Sequence, residues 1–183
     1  DVYDIEIDEK NLDKLVDVDD QKTLSTGVRA SEYYLCSKES KKSCVIDPAP
    51  YKVGDKIVML ASFIEPIMLN GAFQGVVGAD LSVNFIQEML LAANQKLYSG
   101  AGDMTLIGSN GRIVAYTKDP SKFGEKVSDI LDSKQIANMA NLKRGEVTYT
   151  VDKAQGRIEL YLPFGIGQTD ARWTLMLQLP LNA

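Results

Sequence analysis

The chain has 183 residues, of which 45% are apolar and 25% charged, enough for one large domain or two small lobes and too apolar for disorder. Lys and Arg number 20 against 25 Asp and Glu; the net charge of −5 argues against nucleic acid as partner, since a phosphate backbone needs a basic footprint, and mildly favours a cationic ligand. Histidine is absent, which removes Ser-His-Asp and Cys-His catalysis, most zinc sites and the usual general base at neutral pH.

Residues Val2 to Ile7 alternate loosely, as a strand would. Asp8 to Asp20 is acidic, with Leu12, Leu15 and Val16 on one face of a short surface helix. Tyr33-Tyr34-Leu35 reads as the start of a strand. A polar segment then separates Cys36 from Cys44. This spacing matches no metal or redox motif and fits a short-loop disulfide of an oxidising compartment; two free thiols are the other reading.

Lys56 to Met68 is a long apolar strand. Asn70-Gly71 supplies a two-residue turn, and Ala72 to Asp80 returns, its Gly75 and Gly78 implying a bulge or close backbone approach. Ser82 is the expected N-cap of a helix to about Leu97, with Phe85, Met89 and Ala92 on one stripe. The pattern then repeats. Asp103 to Ser109, a turn at Asn110-Gly111, and Arg112 to Tyr116 form a second hairpin. Val127 to Leu142 reads as a helix, and strands follow at Gly145 to Val151, Arg157 to Pro163 and Trp173 to Leu179. The expected fold is therefore α+β, with two tandem lobes at 1–95 and 96–183, each an antiparallel sheet with flanking helices.

No stretch is long enough to be an apolar transmembrane helix, no signal peptide opens the chain, and its first residue is Asp. The expectation is that membrane anchors flank this segment and lie outside it.

Tests for chemistry mostly fail. Gly75-Val76-Val77-Gly78 lies within a strand, where no nucleotide loop forms. Asp17-Val18-Asp19-Asp20 lacks the glycine and terminal glutamate of a calcium loop. No serine or threonine has a plausible base partner, and no cofactor is implied. A binding constellation remains. Asp80 ends an apolar strand just before a helix, where it either favours the helix dipole or anchors an amine. Tyr33, Tyr34 and Tyr51 offer ring faces and hydroxyls to a cation, or are ordinary strand packing. Asp47, ahead of Pro48, is a second candidate carboxylate or a turn former.

The run Pro66 to Ser82, with Gly75-Val76-Val77-Gly78-Ala79-Asp80-Leu81-Ser82, resembles the core hairpin of double Cache domains. Leu106 to Ala115 resembles the opening hairpin of that family's membrane-proximal lobe, and Trp173-Thr174-Leu175-Met176 its closing strand. Such domains are extracytoplasmic sensors, most often of methyl-accepting chemotaxis receptors, sometimes of histidine kinases or diguanylate cyclases. The resemblance implies two stacked PAS-like lobes along a long N-terminal helix. It also implies a non-enzymatic role, a periplasmic location in a membrane-anchored protein, and a homodimer in the full receptor. Ligands of the family usually occupy the N-terminal lobe.

In members that bind amino acids, an Arg-x-Trp-Tyr motif, a tyrosine with an aspartate, and a Gly-x-Asp aspartate surround the ligand. Tyr33-Tyr34 falls on the aromatic pair, Tyr51 on the tyrosine and Asp80 on the amine-holding aspartate. Ser31 stands where the carboxylate-binding arginine would be, and Val53 where the second aspartate would be; Arg29 is out of register. Tyr33 to Cys36 and Cys44 to Pro48 also look like the amine-sensing branch. The implied ligand is a polyamine or biogenic amine, held by Asp80 with Asp47 taking any second ammonium. The alternatives are an amino-acid sensor and a docking module for a periplasmic binding protein.

Overall fold

The computed structural model describes residues 19–181. The expected strand at Val2 to Ile7 lies outside the described residues, as does nearly all of the expected helix from Asp8.

β2 (Lys56–Leu69) turns at Asn70-Gly71 into β3 (Ala72–Ser82). Leu69 pairs with Ala72, and Asn70 and Gly71 take φ of 51° and 78°, the geometry that a two-residue hairpin turn demands. β1 (Cys44–Val53) pairs antiparallel with β2, giving a sheet in the order β1-β2-β3. Both glycines of β3 do what the sequence suggests. The β2–β3 register slips beside Gly75, and a Cβ on Gly78 would sit 2.5 Å from the Ile64 side chain and 2.7 Å from the Phe63 carbonyl.

Tyr33, Tyr34 and Leu35 do not begin a strand. They lie in helix α1 (Glu32–Ser40), which ends at Lys41 in the left-handed conformation. A three-residue apolar run does not separate strand from helix, and here the helix-forming Glu32, Lys38 and Glu39 around it prevail. The Cys36–Cys44 disulfide ties α1 to β1.

Ser82 caps helix α2 (Val83–Tyr98), accepting from the Phe85 N–H at 3.2 Å. Its buried face is Val83, Ile86 and Leu90, with Gln87 and Asn94, whereas Phe85, Met89 and Ala92 face outward. The position expected to divide the lobes, 95/96, falls inside this helix.

The second sheet contains β4 (Asp103–Ile107), β5 (Ile113–Tyr116), β6 (Thr148–Asp152), β7 (Arg157–Gly165) and β8 (Arg172–Pro180). Its order is β5-β4-β8-β7-β6, antiparallel throughout. Asn110-Gly111 does not make a two-residue turn, because β4 ends at Ile107, which pairs with Ile113 across a wider loop. The long helix expected from Val127 is also broken. A 3₁₀ turn at Val127–Asp129 precedes α3 (Ser133–Met139), since Asp132 forms a capping box with Gln135 and starts a new helix there.

Among the described residues, three apolar clusters form the core. Leu24, Val28 and α1 cover one face of the first sheet, over Cys44, Ile46, Ala49 and Ile64. The other face shares a core with α2 and the second sheet, built from Ala61, Ile86, Leu90, Met104, Leu106, Val114, Ala115 and Trp173. The far face of the second sheet packs Ile107, Ile113, Tyr161 and Met176 against Leu131, Leu142 and α3. The result is two antiparallel sheets with flanking helices, in tandem.

Candidate functional site

On the α1 face of the first sheet, a row of paired residues crosses all three strands. Ile46 pairs with Ser62, and Ser62 with Asp80. Ser62 is buried, whereas the Asp80 side chain reaches solvent. Tyr51 stands on β1, and Tyr33 descends from α1 to meet it edge-on, with ring centroids 6.4 Å apart. Asp80, Tyr33 and Glu32 all lie close enough to act electrostatically on the Tyr51 hydroxyl.

One feature of this cluster is unusual for a finished core. The Tyr51 hydroxyl is buried, and among the described residues it makes no hydrogen bond of normal geometry, although the Ser62 hydroxyl lies close enough to act on it. A buried, unpaired hydroxyl is costly, and such groups mark strain or a place for a ligand. Burial first, then the Asp80 charge and Tyr33, pushes the Tyr51 hydroxyl up to about 12, so it stays protonated and can both donate and accept. Beside it the Asp80 carboxylate is exposed to solvent, and among the described residues no cation lies within 4 Å of it.

The other expected residues lie elsewhere. Tyr34 turns toward the β3 hairpin, edge-on to Phe73 at 5.4 Å, with the Lys38 ammonium 5.3 Å from its ring. Asp47 sits on the opposite face of the sheet, where it accepts the indole N–H of Trp173 and the main-chain N–H of Asn110, each at 2.7 Å. It is taken up by the second lobe because the β1 register breaks between Ile46 and Ala49, around Pro48. Arg29 is not free to hold a carboxylate. Its guanidinium pairs with Glu32 and Glu39 and donates to the Gln21 side chain, and the Glu32 hydrogen bond, then that to Glu39, raises its pKa further above the ordinary arginine range.

No family model matches the chain. Over 103 residues, 56% of its length, it is 29% identical to the methyl-accepting chemotaxis protein TlpQ of Pseudomonas aeruginosa, a match that spans 14% of that protein. The solved structure of methyl-accepting chemotaxis protein X superposes with a TM-score of 0.60 at 20% identity, over 82% of this chain and 55% of the other. The ligand-binding domain of the Pseudomonas aeruginosa amino acid chemoreceptor PctB, in complex with L-Arg, gives 0.55 at 18% identity, over 82% of this chain and 59% of the other. These likenesses show the same fold, two antiparallel sheets with flanking helices in tandem, consistent with two PAS- or Cache-like lobes. The chain thus spans a small fraction of its curated relative and a little over half of these solved chains.

The candidate site lies on the outer face of the first lobe, under α1. Sequence reasoning missed Ser62, whose signal is a lone hydroxyl in the apolar run from Ile57 to Ile64. It also missed Glu32, which the α1 turn places near Tyr51 but whose carboxylate is committed to Arg29.

Proposed function

We propose that this chain is the periplasmic sensing domain of a bacterial chemoreceptor, and that its first lobe binds a small ligand carrying a protonated amine. The observation that carries this reading is the proximity of the Asp80 carboxylate, with no cation within 4 Å among the described residues, to the buried Tyr51 hydroxyl, which makes no hydrogen bond of normal geometry among them. An ammonium group offers both what they lack. It supplies the positive charge for Asp80 and an N–H for the tyrosine oxygen, and the Tyr33 ring adds a cation-binding face.

Amino acids are the ligand class supported by the likeness to PctB, whose solved domain holds L-Arg. A carboxylate-free amine is the second reading, favoured by the full engagement of Arg29. Binding would shift the lobe between two states and pass the change on through the shared core and the Asp47–Trp173 contact. The domain binds and does not catalyse; in the full receptor it would be membrane-anchored and dimeric.

A thermal-shift panel of amino acids, polyamines, biogenic amines and organic acids tests the reading. A ligand that binds only the folded state raises the melting temperature by mass action. Shifts with amino acids or amines that vanish in Asp80→Ala support the proposal. The absence of any amine-dependent shift, with a periplasmic binding protein retained in a pull-down, favours the docking reading and overturns this one.

A further inference from the structure

A cavity of about 500 Å³ opens in the second lobe, at the end of the sheet where β4 turns toward β5. Ile107, Met139 and Thr174 line its interior, and Arg144, Arg172 and Asp170 stand around it. Ile107 and Thr174 are buried, whereas the three charged residues are exposed.

Both guanidinium groups are held in place without being neutralised. Arg172 donates to the Leu142 carbonyl at 3.1 Å, and its main chain brackets the Ser109 hydroxyl. Arg144 reaches the Thr169 and Gly167 carbonyls, both at 3.5 Å. No carboxylate lies within 4 Å of either arginine among the described residues. The backbone is also cut to fit Arg144, because a Cβ on Gly165 would fall 1.6 Å from its Nη2. Any larger residue there would displace the guanidinium. The adjoining loop is fixed by Thr169, whose hydroxyl donates to the Ile166 carbonyl at 2.7 Å.

We infer that this cavity is a second ligand site, for a small organic monocarboxylate. Two arginines against one aspartate leave one net positive charge, which a single carboxylate matches. Guanidinium forks suit carboxylate oxygens, and Ile107 and Met139 offer apolar surface to a short carbon chain. In the first lobe Arg29 is already engaged by Glu32 and Glu39. The free arginine pair thus places carboxylate recognition in the second lobe, independent of the amine site.

The test uses amine-free acids, namely acetate, pyruvate, L-lactate and butyrate, titrated at constant ionic strength with sulfate as the control anion. Calorimetry and thermal shift are run on the wild type and on Arg144→Ala, Arg172→Ala, Gly165→Ala and Asp80→Ala. Circular dichroism and the ligand-free melting temperature establish that each variant is folded. The expected result is saturable binding of at least one acid, weakened at least about tenfold in Arg144→Ala, Arg172→Ala and Gly165→Ala and unchanged in Asp80→Ala. Three results overturn the inference: no acid binds; sulfate stabilises equally; or binding survives loss of either arginine in a folded variant. Since the probes lack an amine and Asp80→Ala is one arm, failure here leaves the first-lobe proposal standing, and the converse also holds.

Discussion

The Asp47 carboxylate on β1 accepts the indole N–H of Trp173 on β8 at 2.7 Å, across 126 residues of sequence. Its second oxygen takes the Asn110 main-chain N–H at the same distance, and Gly108 leaves the room, since a Cβ there would come within 2.8 Å of the carboxylate. Asp47 and Trp173 are both buried, so one carboxylate of the first sheet satisfies two donors of the second lobe. The contact fixes the register of one lobe on the other.

Asp47→Ala is therefore expected to cost about 2–3 kcal/mol, because the buried indole N–H and the part-buried Asn110 N–H lose a charged acceptor. Asp47→Asn, which keeps one carbonyl oxygen, is expected to cost less. Urea denaturation of the two variants checks the order, and a double-mutant cycle with Trp173→Phe checks that the loss runs through the indole. Additive effects would mean that the contact is incidental.

The Tyr51 hydroxyl predicts opposite signs for stability and binding. Removing an unpaired buried hydroxyl relieves its desolvation, so Tyr51→Phe should leave the ligand-free domain as stable or up to about 1 kcal/mol more stable. The same change should weaken amine binding by roughly five- to tenfold, the worth of one hydrogen bond. A variant that loses stability and keeps affinity would place the hydroxyl in the fold and not in the site.

Glu159 sets an acid limit. Its buried carboxylate accepts from Tyr161 at 2.8 Å and Gln135 at 2.7 Å, and pairs with the Arg157 Nε at 2.8 Å. Burial alone would raise its pKa; the hydrogen bonds from Tyr161 and Gln135, with the Arg157 charge, outweigh it and hold the group below its ordinary 4.5. With the folded value lowered, the stabilisation is fully present above the unfolded pKa and is lost as pH falls through the folded one. The unfolding free energy should decline as pH drops below about 4.5, and Glu159→Gln, less stable at neutral pH, should show a flatter profile there. Equal slopes in the two proteins would remove Glu159 as the cause.

The disulfide closes a small loop between α1 and β1. Loop entropy gives it about 2–3 kcal/mol, so a Cys36→Ser, Cys44→Ser double variant should unfold at lower denaturant by that amount. Since α1 carries Tyr33 onto Tyr51, the same variant should also bind amines more weakly.

How much of this was legible in the sequence depended on whether the signal was local. Asn70-Gly71 between alternating apolar runs leaves few alternatives to a tight hairpin, and Ser82 before an apolar stripe marks a helix start. Tyr51 and Asp80 were readable as a pair because the resemblance supplied their spacing. The α1 helix was not, since Tyr33-Tyr34-Leu35 satisfies either period and only its flanks decide. The partner of Asp47 could not be read, because nothing near Asp47 points to a tryptophan on the last strand. The fate of Arg29 was equally hidden, since its pairing with Glu39 needs the α1 turns to bring the two together.

The central claim is that Asp80 holds an ammonium group, and isothermal titration of the strongest amine or amino acid into wild type and Asp80→Asn tests it most directly. Asp80→Asn keeps the shape and removes the charge at an exposed position, so the ligand-free melting temperature should barely move. The account predicts an affinity loss of at least about 30-fold, equivalent to about 2 kcal/mol for a charge-assisted contact. Affinity within about twofold of wild type, in a variant that melts normally, would contradict it.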